Sequence, residues 1–174
     1  MNLILQLSQI FLPVIAVLAV TYYLVKRFLD HQTEQQEMNM KMKLHESVTP
    51  IRLQAYERLM LLLERMQPAG MLMRHNRSGM NAIELQTALL QGIRDEFEHN
   101  LSQQLYVSIQ AWEKVRNARE EMISLINTAA AKVKPDAPSA DLAQNVLALS
   151  LEVEILPVQQ AIDFLKIEVR QNFF

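Results

Sequence analysis

The sequence predicts an all-α protein, in which an N-terminal transmembrane helix continues into a stalk and is followed by an antiparallel helical bundle. The 174 residues include only three glycines, whereas helix-forming residues such as Leu, Gln, Glu and Met abound. An uncharged apolar run occupies Leu3 to Val25, as in membrane-spanning helices. Downstream, apolar residues recur at the three- and four-residue spacing of amphipathic helices.

The predicted organisation has three parts: an anchor at residues 1–27, a juxtamembrane stalk at 28–48 and a bundle at 49–174. At about 1.5 Å per residue the apolar run reaches about 34 Å, which exceeds the ~30 Å hydrocarbon core of a bilayer. Tyr22 and Tyr23 lie near its end, where aromatic rings favour the headgroup layer. A cleaved signal peptide is disfavoured, because no basic residue precedes Lys26.

Charge asymmetry predicts the orientation and the location of the chain. All 17 Lys and Arg residues follow the apolar run, so the positive-inside rule places the N-terminus outside and the remaining domain in the cytoplasm. The predicted location is a bacterial inner membrane. The chain has no cysteine, which is compatible with a reducing compartment.

The stalk contains a methionine-rich run in which Met38, Met40 and Met42 alternate with polar residues. Such alternation is typical of a strand, but methionine has little strand preference and no turn residue flanks the run, so helix is predicted. Exposed methionines could form an adaptable binding surface. The alternative is a stalk face that packs on its own domain.

The first bundle helix is predicted to begin with Thr49 as its cap and Pro50 as its first residue, and to end before Pro68. Its apolar stripe consists of Leu53, Tyr56, Met60 and Leu63. A connector is then predicted from Pro68 to Met80.

Asn81, with Glu84 three residues later, predicts a capping box at the start of the next helix. The apolar stripe of this helix contains Leu85, Leu89, Leu90, Ile93 and Phe97. A weak break is expected from His99 to Ser102, and a longer helix from Gln103 to Val133. The stripe of that longer helix consists of Leu105, Ile109, Trp112, Val115, Met122 and Ile126.

Residues Lys134 to Pro138 have the composition of a loop, and the last helical segment begins at Ser139 or Asp141. Pro157 divides this segment, because a proline inside a helix removes a backbone hydrogen bond and kinks or breaks it. The stripes before and after the proline differ in phase, with Leu142, Val146, Leu149, Val153 and Leu156 followed by Val158, Ile162, Leu165 and Val169.

The stretches LQAYERLMLLLERM (53–66) and IRDEFEHNLSQQLYVS (93–108), with Ala111 and Trp112 soon after, resemble a family of uncharacterised small bacterial proteins. The resemblance covers about residues 1 to 130. It implies a single-pass membrane protein with a cytoplasmic helical domain. Because the family has no known activity, it implies no catalytic or ligand-binding residues.

No metal, cofactor or catalytic site is predicted. Glu96 and His99 form a Glu-x-x-His motif, but di-metal sites in helical bundles need two such motifs and this one occurs once. Without cysteine there is no thiolate nucleophile. The sequence also lacks a glycine-rich loop that could bind phosphates.

The residues predicted to contact a partner or lipid are Arg74, His75 and Arg77 in the connector, together with Met38, Met40 and Met42 in the stalk. The basic cluster could bind anionic lipid headgroups or an acidic protein. Its alternative is a solvated loop, because two arginines fall short of the four to eight basic residues of lipid-binding clusters.

The leading functional hypothesis is a membrane-anchored, non-enzymatic scaffold or regulatory protein-interaction module. The predicted partners are the membrane, through the span Leu3 to Val25, and a protein or a second copy of the chain. The net charge of -2 and the alternation of acids and bases argue against nucleic acid, and no small-molecule substrate is indicated. A self-associating structural stalk is the alternative, and an enzyme without a recognisable motif is the third hypothesis.

Overall fold

The computed structural model describes the backbone of residues 2–173 and the side chains of residues 18, 20–29, 31–32, 35, 40 and 47–173. Every helix and loop in this part of the chain fits an all-α fold, and that prediction is confirmed. The elements are α1 (Asn2–Arg65), α2 (Pro68–His75), α3 (Ala82–His99), a 3-10 helix (Leu101–Leu105), α4 (Ile109–Ala131), α5 (Ser139–Glu152) and α6 (Pro157–Phe173).

Internal contacts divide the chain into two compact units, Met1–Val48 and Thr49–Phe174. In the first unit, the backbone of residues 28–48 is helical, including the methionine-rich run for which a strand was the alternative. Its described side chains, from Leu18 onward, are all exposed. The buried core described below therefore belongs to the second unit.

The predicted transmembrane anchor requires correction. No helix among the described residues is long and apolar enough to cross a bilayer. The side chains of residues 1–17 lie outside the described part. The prediction of a span over Leu3 to Val25 is therefore wrong, while the location and orientation of the chain stay predictions.

The predicted helix start at Thr49 and Pro50 is also wrong, because α1 continues through both residues. Proline lacks an N–H and leaves one carbonyl of the preceding turn without its helical partner. Its fixed φ of about −65° is nevertheless close to the α-helical value. A single proline can therefore lie within a helix without ending it.

In the second unit, α1 contributes a stripe that is rotated from the predicted one. Tyr56 and Leu63 are buried as expected, but Leu53 and Met60 are only half-buried. The stripe is completed by residues that the prediction omitted, namely Ala55, Leu59, Leu62 and Met66.

The predicted connector from Pro68 to Met80 contains the short helix α2. Pro68 is at the first turn of this helix, where its missing N–H costs nothing. Met71 and Leu72 are buried, and this packing stabilises a helix that would be too short to persist alone. The connector between α2 and α3 is therefore only residues 76–81. Within it, Gly79 has a φ of 87°, in the left-handed region that favours glycine.

The capping box at the start of α3 is confirmed. The Asn81 side chain accepts a hydrogen bond of 2.9 Å from the Glu84 N–H, and the Glu84 carboxylate accepts one of 2.9 Å from the Asn81 N–H. The predicted stripe is also buried, except that Leu90 is half-buried.

The break after His99 is confirmed, but α4 begins six residues later than predicted. Ser108 has an extended backbone and its side chain accepts a 3.0 Å hydrogen bond from the Ala111 N–H, which fixes the start of α4 at Ile109. Leu105 and Ile109, both predicted as core, are exposed. Further along α4, Val115, Met122 and Ile126 are buried as predicted, and Trp112 is half-buried against the core.

The loop predicted at Lys134 to Pro138 is confirmed, and it is tied to the start of α3. The Ala82 N–H donates to the Ala137 carbonyl over 2.9 Å, and the Ser139 N–H donates to the Met80 carbonyl over 3.1 Å. These backbone bonds hold the α2–α3 connector beside the start of α5.

The predicted bend at Pro157 is a complete break. Helix α5 ends at Glu152, and Pro157 is the first residue of α6. Val153 lies in the gap and is exposed, Leu156 is half-buried, and Leu165 is fully buried. Helix α4 packs against α3, α5 and α6, so these helices share one hydrophobic core.

Candidate functional site

Helices α1, α2 and α3 enclose a small pocket of about 180 Å³ around His75. We call it the His75 pocket. It includes two residues of the predicted basic cluster and is lined by Arg65, Met66, Met71, Arg74, His75, Gly92, Ile93, Asp95 and Glu96.

The imidazole of His75 packs directly on the backbone of α3. A Cβ atom at Gly92 would lie 2.7 Å from both Cε1 and Nε2 of the ring, a distance that real Cβ contacts do not reach. Glycine in a helix interior costs about 1 kcal/mol relative to alanine. The position of the histidine ring gives a physical reason for glycine at this site.

The charged groups of the His75 pocket are mostly engaged in local contacts. Arg65 Nε lies 2.9 Å from Glu96 Oε1, an exposed ion pair of the kind that contributes about 0–1 kcal/mol. The Arg74 guanidinium donates to the main-chain carbonyl of Arg65. Arg77 is exposed in the connector after α2. Binding of lipid or an acidic protein by this cluster stays a prediction.

The pKa of His75 is lowered from its ordinary value of 6.5. Partial burial is the main cause, because it disfavours the charged imidazolium. The neighbouring guanidinium groups of Arg74 and Arg77 lower the pKa further, while the carboxylates of Glu96 and Asp95 oppose the shift. At neutral pH the ring is therefore predominantly uncharged.

The Glu-x-x-His motif does not form a metal centre in the described part of the chain. There, no group of three or more His, Asp or Glu side chains is placed to hold a metal ion. Glu96, the carboxylate of the motif, is instead the partner of Arg65.

The predicted methionine surface is described at one of its three positions. Met40 is 64% exposed, as a binding surface would require. The side chains of Met38 and Met42 lie outside the described residues. Contact of this surface with a partner stays a prediction.

A larger site, which the sequence did not predict, is a groove of about 380 Å³ between α1 and α6. We call it the α1/α6 groove. Its surface is almost entirely apolar, and it is lined by Leu53, Tyr56, Glu57, Met60 and Leu61 of α1 and by Leu165, Lys166, Val169 and Arg170 of α6.

The charged residues of the α1/α6 groove differ in sign between its two sides. Glu57 is the acidic residue of the α1 side, whereas Lys166 and Arg170 lie one helical turn apart on α6. All three are exposed. The groove thus combines an apolar floor with a polar rim, the arrangement found at protein–protein interfaces.

One sequence signal could have indicated the groove. In the run Leu59 to Leu63, Leu61 falls outside the stripe that the neighbouring apolar residues form, and it is 56% exposed in the structure. A leucine on the polar side of an amphipathic helix can mark a contact surface. The other side of the groove belongs to α6, whose position beside α1 no local pattern indicates.

Comparisons with known proteins give a family but no activity. The model of DUF7935, a family of unknown function, matches residues 2–172. This agrees with the resemblance to an uncharacterised family, whereas bacterial origin stays a prediction. A search of the curated proteins and a search of the solved structures found no match.

Proposed function

The chain belongs to DUF7935, a family of unknown function, and we propose that its bundle is a non-enzymatic scaffold or regulatory module that binds another protein chain. The surface that binds would be the α1/α6 groove. The proposal concerns Thr49–Phe174 and requires no particular cellular location.

The apolar floor of the α1/α6 groove is the observation that carries this proposal. Leu53, Met60 and Val169 contribute apolar surface to a concave site between two helices. An amphipathic helix can bury its apolar face in such a groove, as in other helix-in-groove complexes. The charged residues at the rim would then set the orientation of the bound chain.

A self-associating structural subunit is the second candidate. It is favoured by the opposite charges of Glu57 on one side of the groove and of Lys166 and Arg170 on the other. The two candidates differ in the identity of the bound chain and share the same surface.

Site-specific photo-crosslinking in cells of the native host tests the binding surface. A photoreactive side chain replaces Leu61, at the groove, and in a matched variant replaces Leu151, an apolar residue that is 85% exposed outside the groove. We expect a discrete protein adduct from position 61 and none from position 151. Absence of an adduct at 61, or equal labelling at both positions, would contradict the proposal.

A further inference from the structure

We infer that the α1/α6 groove is occupied by the same groove of a second copy of this chain, in a twofold-symmetric dimer. This inference rests on the second candidate of the proposed function, because it names a second copy of the chain as the protein that the groove binds. It is supported by the course of the two helices, by the charges of the rims and by one exposed leucine.

Helices α1 and α6 run antiparallel along the groove. Near its C-terminal end, α6 contacts the earlier part of α1, since the Phe173 ring lies 5.9 Å from the Tyr56 ring and 5.2 Å below the Arg52 guanidinium. Lys166 and Leu165 line the groove further from that end, as do Met60 and Leu61. Each side of the groove, which we call a rim, is therefore formed along its length by a single helix, α1 or α6.

The charges of the rims match those of a second copy in one symmetric arrangement. A twofold axis parallel to the groove places the α1 side of one copy against the α6 side of the other. Glu57 then faces Lys166 and Arg170 of the second copy, and the same attraction occurs twice. With the axis across the groove, like rims would meet, and Lys166 and Arg170 would repel their own symmetry mates.

Leu61 provides an apolar side chain that suits the same arrangement. It lies on the α1 side of the groove and is 56% exposed. In the dimer it would pack against the α6 side of the second groove, at the level of Lys166. Twofold symmetry would place the projecting Leu61 of each copy against the concave apolar surface of the other copy. An unrelated helix would instead need its own apolar and charged residues in positions that match the groove.

A charge-swap experiment on the full chain tests the inference. Two differently tagged copies are co-expressed, each with the photoreactive side chain at position 61, and the adduct that contains both tags is quantified. Glu57→Lys in both copies should reduce this adduct at least tenfold, and Lys166→Glu with Arg170→Glu in both copies should do the same. When one copy carries the first change and its partner carries the second, opposite charges meet at both rims and the adduct should return.

Recovery in the mixed pair also shows that each altered chain is folded. As a matched control, Glu113→Lys reverses an exposed charge on α4 outside the groove and should leave the adduct unchanged. A two-tag adduct that is insensitive to the rim charges would overturn the inference. An adduct at position 61 that contains only a different protein would also overturn it and leave the proposed function standing, whereas no adduct at all would overturn both.

Discussion

At the scale of single residues, His75, the last residue of α2, contacts the backbone of α3 at Gly92. The ring fits only because position 92 lacks a Cβ. At position 92, alanine would raise the stability of the helix, whereas glycine leaves room for the His75 ring. The effect of a substitution at either residue should therefore depend on the other.

Replacing Gly92 with Ala should stabilise the protein less when His75 is present than when it is absent, because the ring must leave its position against α3. In a His75→Ala background the same change should stabilise the protein by up to about 1 kcal/mol, the helix propensity of alanine over glycine. Denaturant unfolding of the four proteins gives the coupling free energy. Equal effects of Gly92→Ala in both backgrounds would show that the ring and the backbone are not in contact.

The lowered pKa of His75 predicts a pH-dependent stability. The unfolded chain binds a proton near pH 6.5, whereas the folded chain binds it only at lower pH, so the folded state loses stability as pH falls from about 6.5 through the folded pKa. Arg74 and Arg77 act in this direction, and Asp95 and Glu96 against it. We expect the denaturant midpoint to fall more between about pH 7.5 and about pH 5.0 in the unaltered protein than in His75→Gln. An identical fall in both would rule out His75 as the source.

At the scale of helices, the substitutions Pro157→Ala and Leu165→Ala should differ in their effect on stability, because α5 ends before Pro157. Leu165 is fully buried in α6, so Leu165→Ala should cost about 2–5 kcal/mol. Pro157 is the first residue of α6, where its missing N–H was never needed. Pro157→Ala should therefore change stability by no more than about 1 kcal/mol, mainly through the entropy of the unfolded chain.

Thermal or urea unfolding of the two variants measures this contrast. The monomeric bundle must be compared at equal concentration, because self-association would add its own stability. If Pro157→Ala lowers the free energy of unfolding as much as Leu165→Ala does, the proline is needed for the break between α5 and α6. Without it the two helices would join, and one of their two apolar stripes would leave the core.

The elements that the sequence predicted well are those set by neighbouring residues. The capping box of Asn81 and Glu84 lies within four residues, and at Pro157 the proline coincides with a change in the phase of the apolar stripe, so that the two signals together predict the break. Leu105 and Ile109 were assigned to the core because their spacing was read as one long helix, but the Ser108 cap starts α4 after Leu105 and changes the phase. Helix α2 was missed since its stability depends on packing.

The candidate sites were less predictable for the same reason. Arg74 and His75 could be recognised as a polar cluster, but their contacts with Arg65 and Gly92 come from helices that are separate in sequence. The α1/α6 groove depends on bringing Leu61 near Lys166, which are about 100 residues apart. Amphipathic periodicity shows which face of a helix is buried and not which helix lies beside it.

At the scale of the whole molecule, the buried hydrophobic residues that the structure describes lie in Thr49–Phe174. Every buried side chain among the described residues falls between Ala55 and Leu165, in a compact unit distinct from Met1–Val48. The core joins residues from all six α-helices, including the end of α1. The second unit therefore contains the packing that a folded domain needs.

We accordingly predict that residues 49–174 fold without the preceding unit. A chain of about 125 residues can bury enough surface to be stable by itself, and the Arg65–Glu96 pair, the α3 capping box and the loop bonds to Ser139 are all retained in it. Its circular dichroism should be mostly helical, with one cooperative thermal transition.

The same fragment carrying Leu165→Ala is the control, and its transition should move to lower temperature, because a packed core is sensitive to loss of a buried leucine. A helical fragment that melts without cooperativity, or that is indifferent to Leu165→Ala, would mean that the core is completed by residues 1–48 or by a partner.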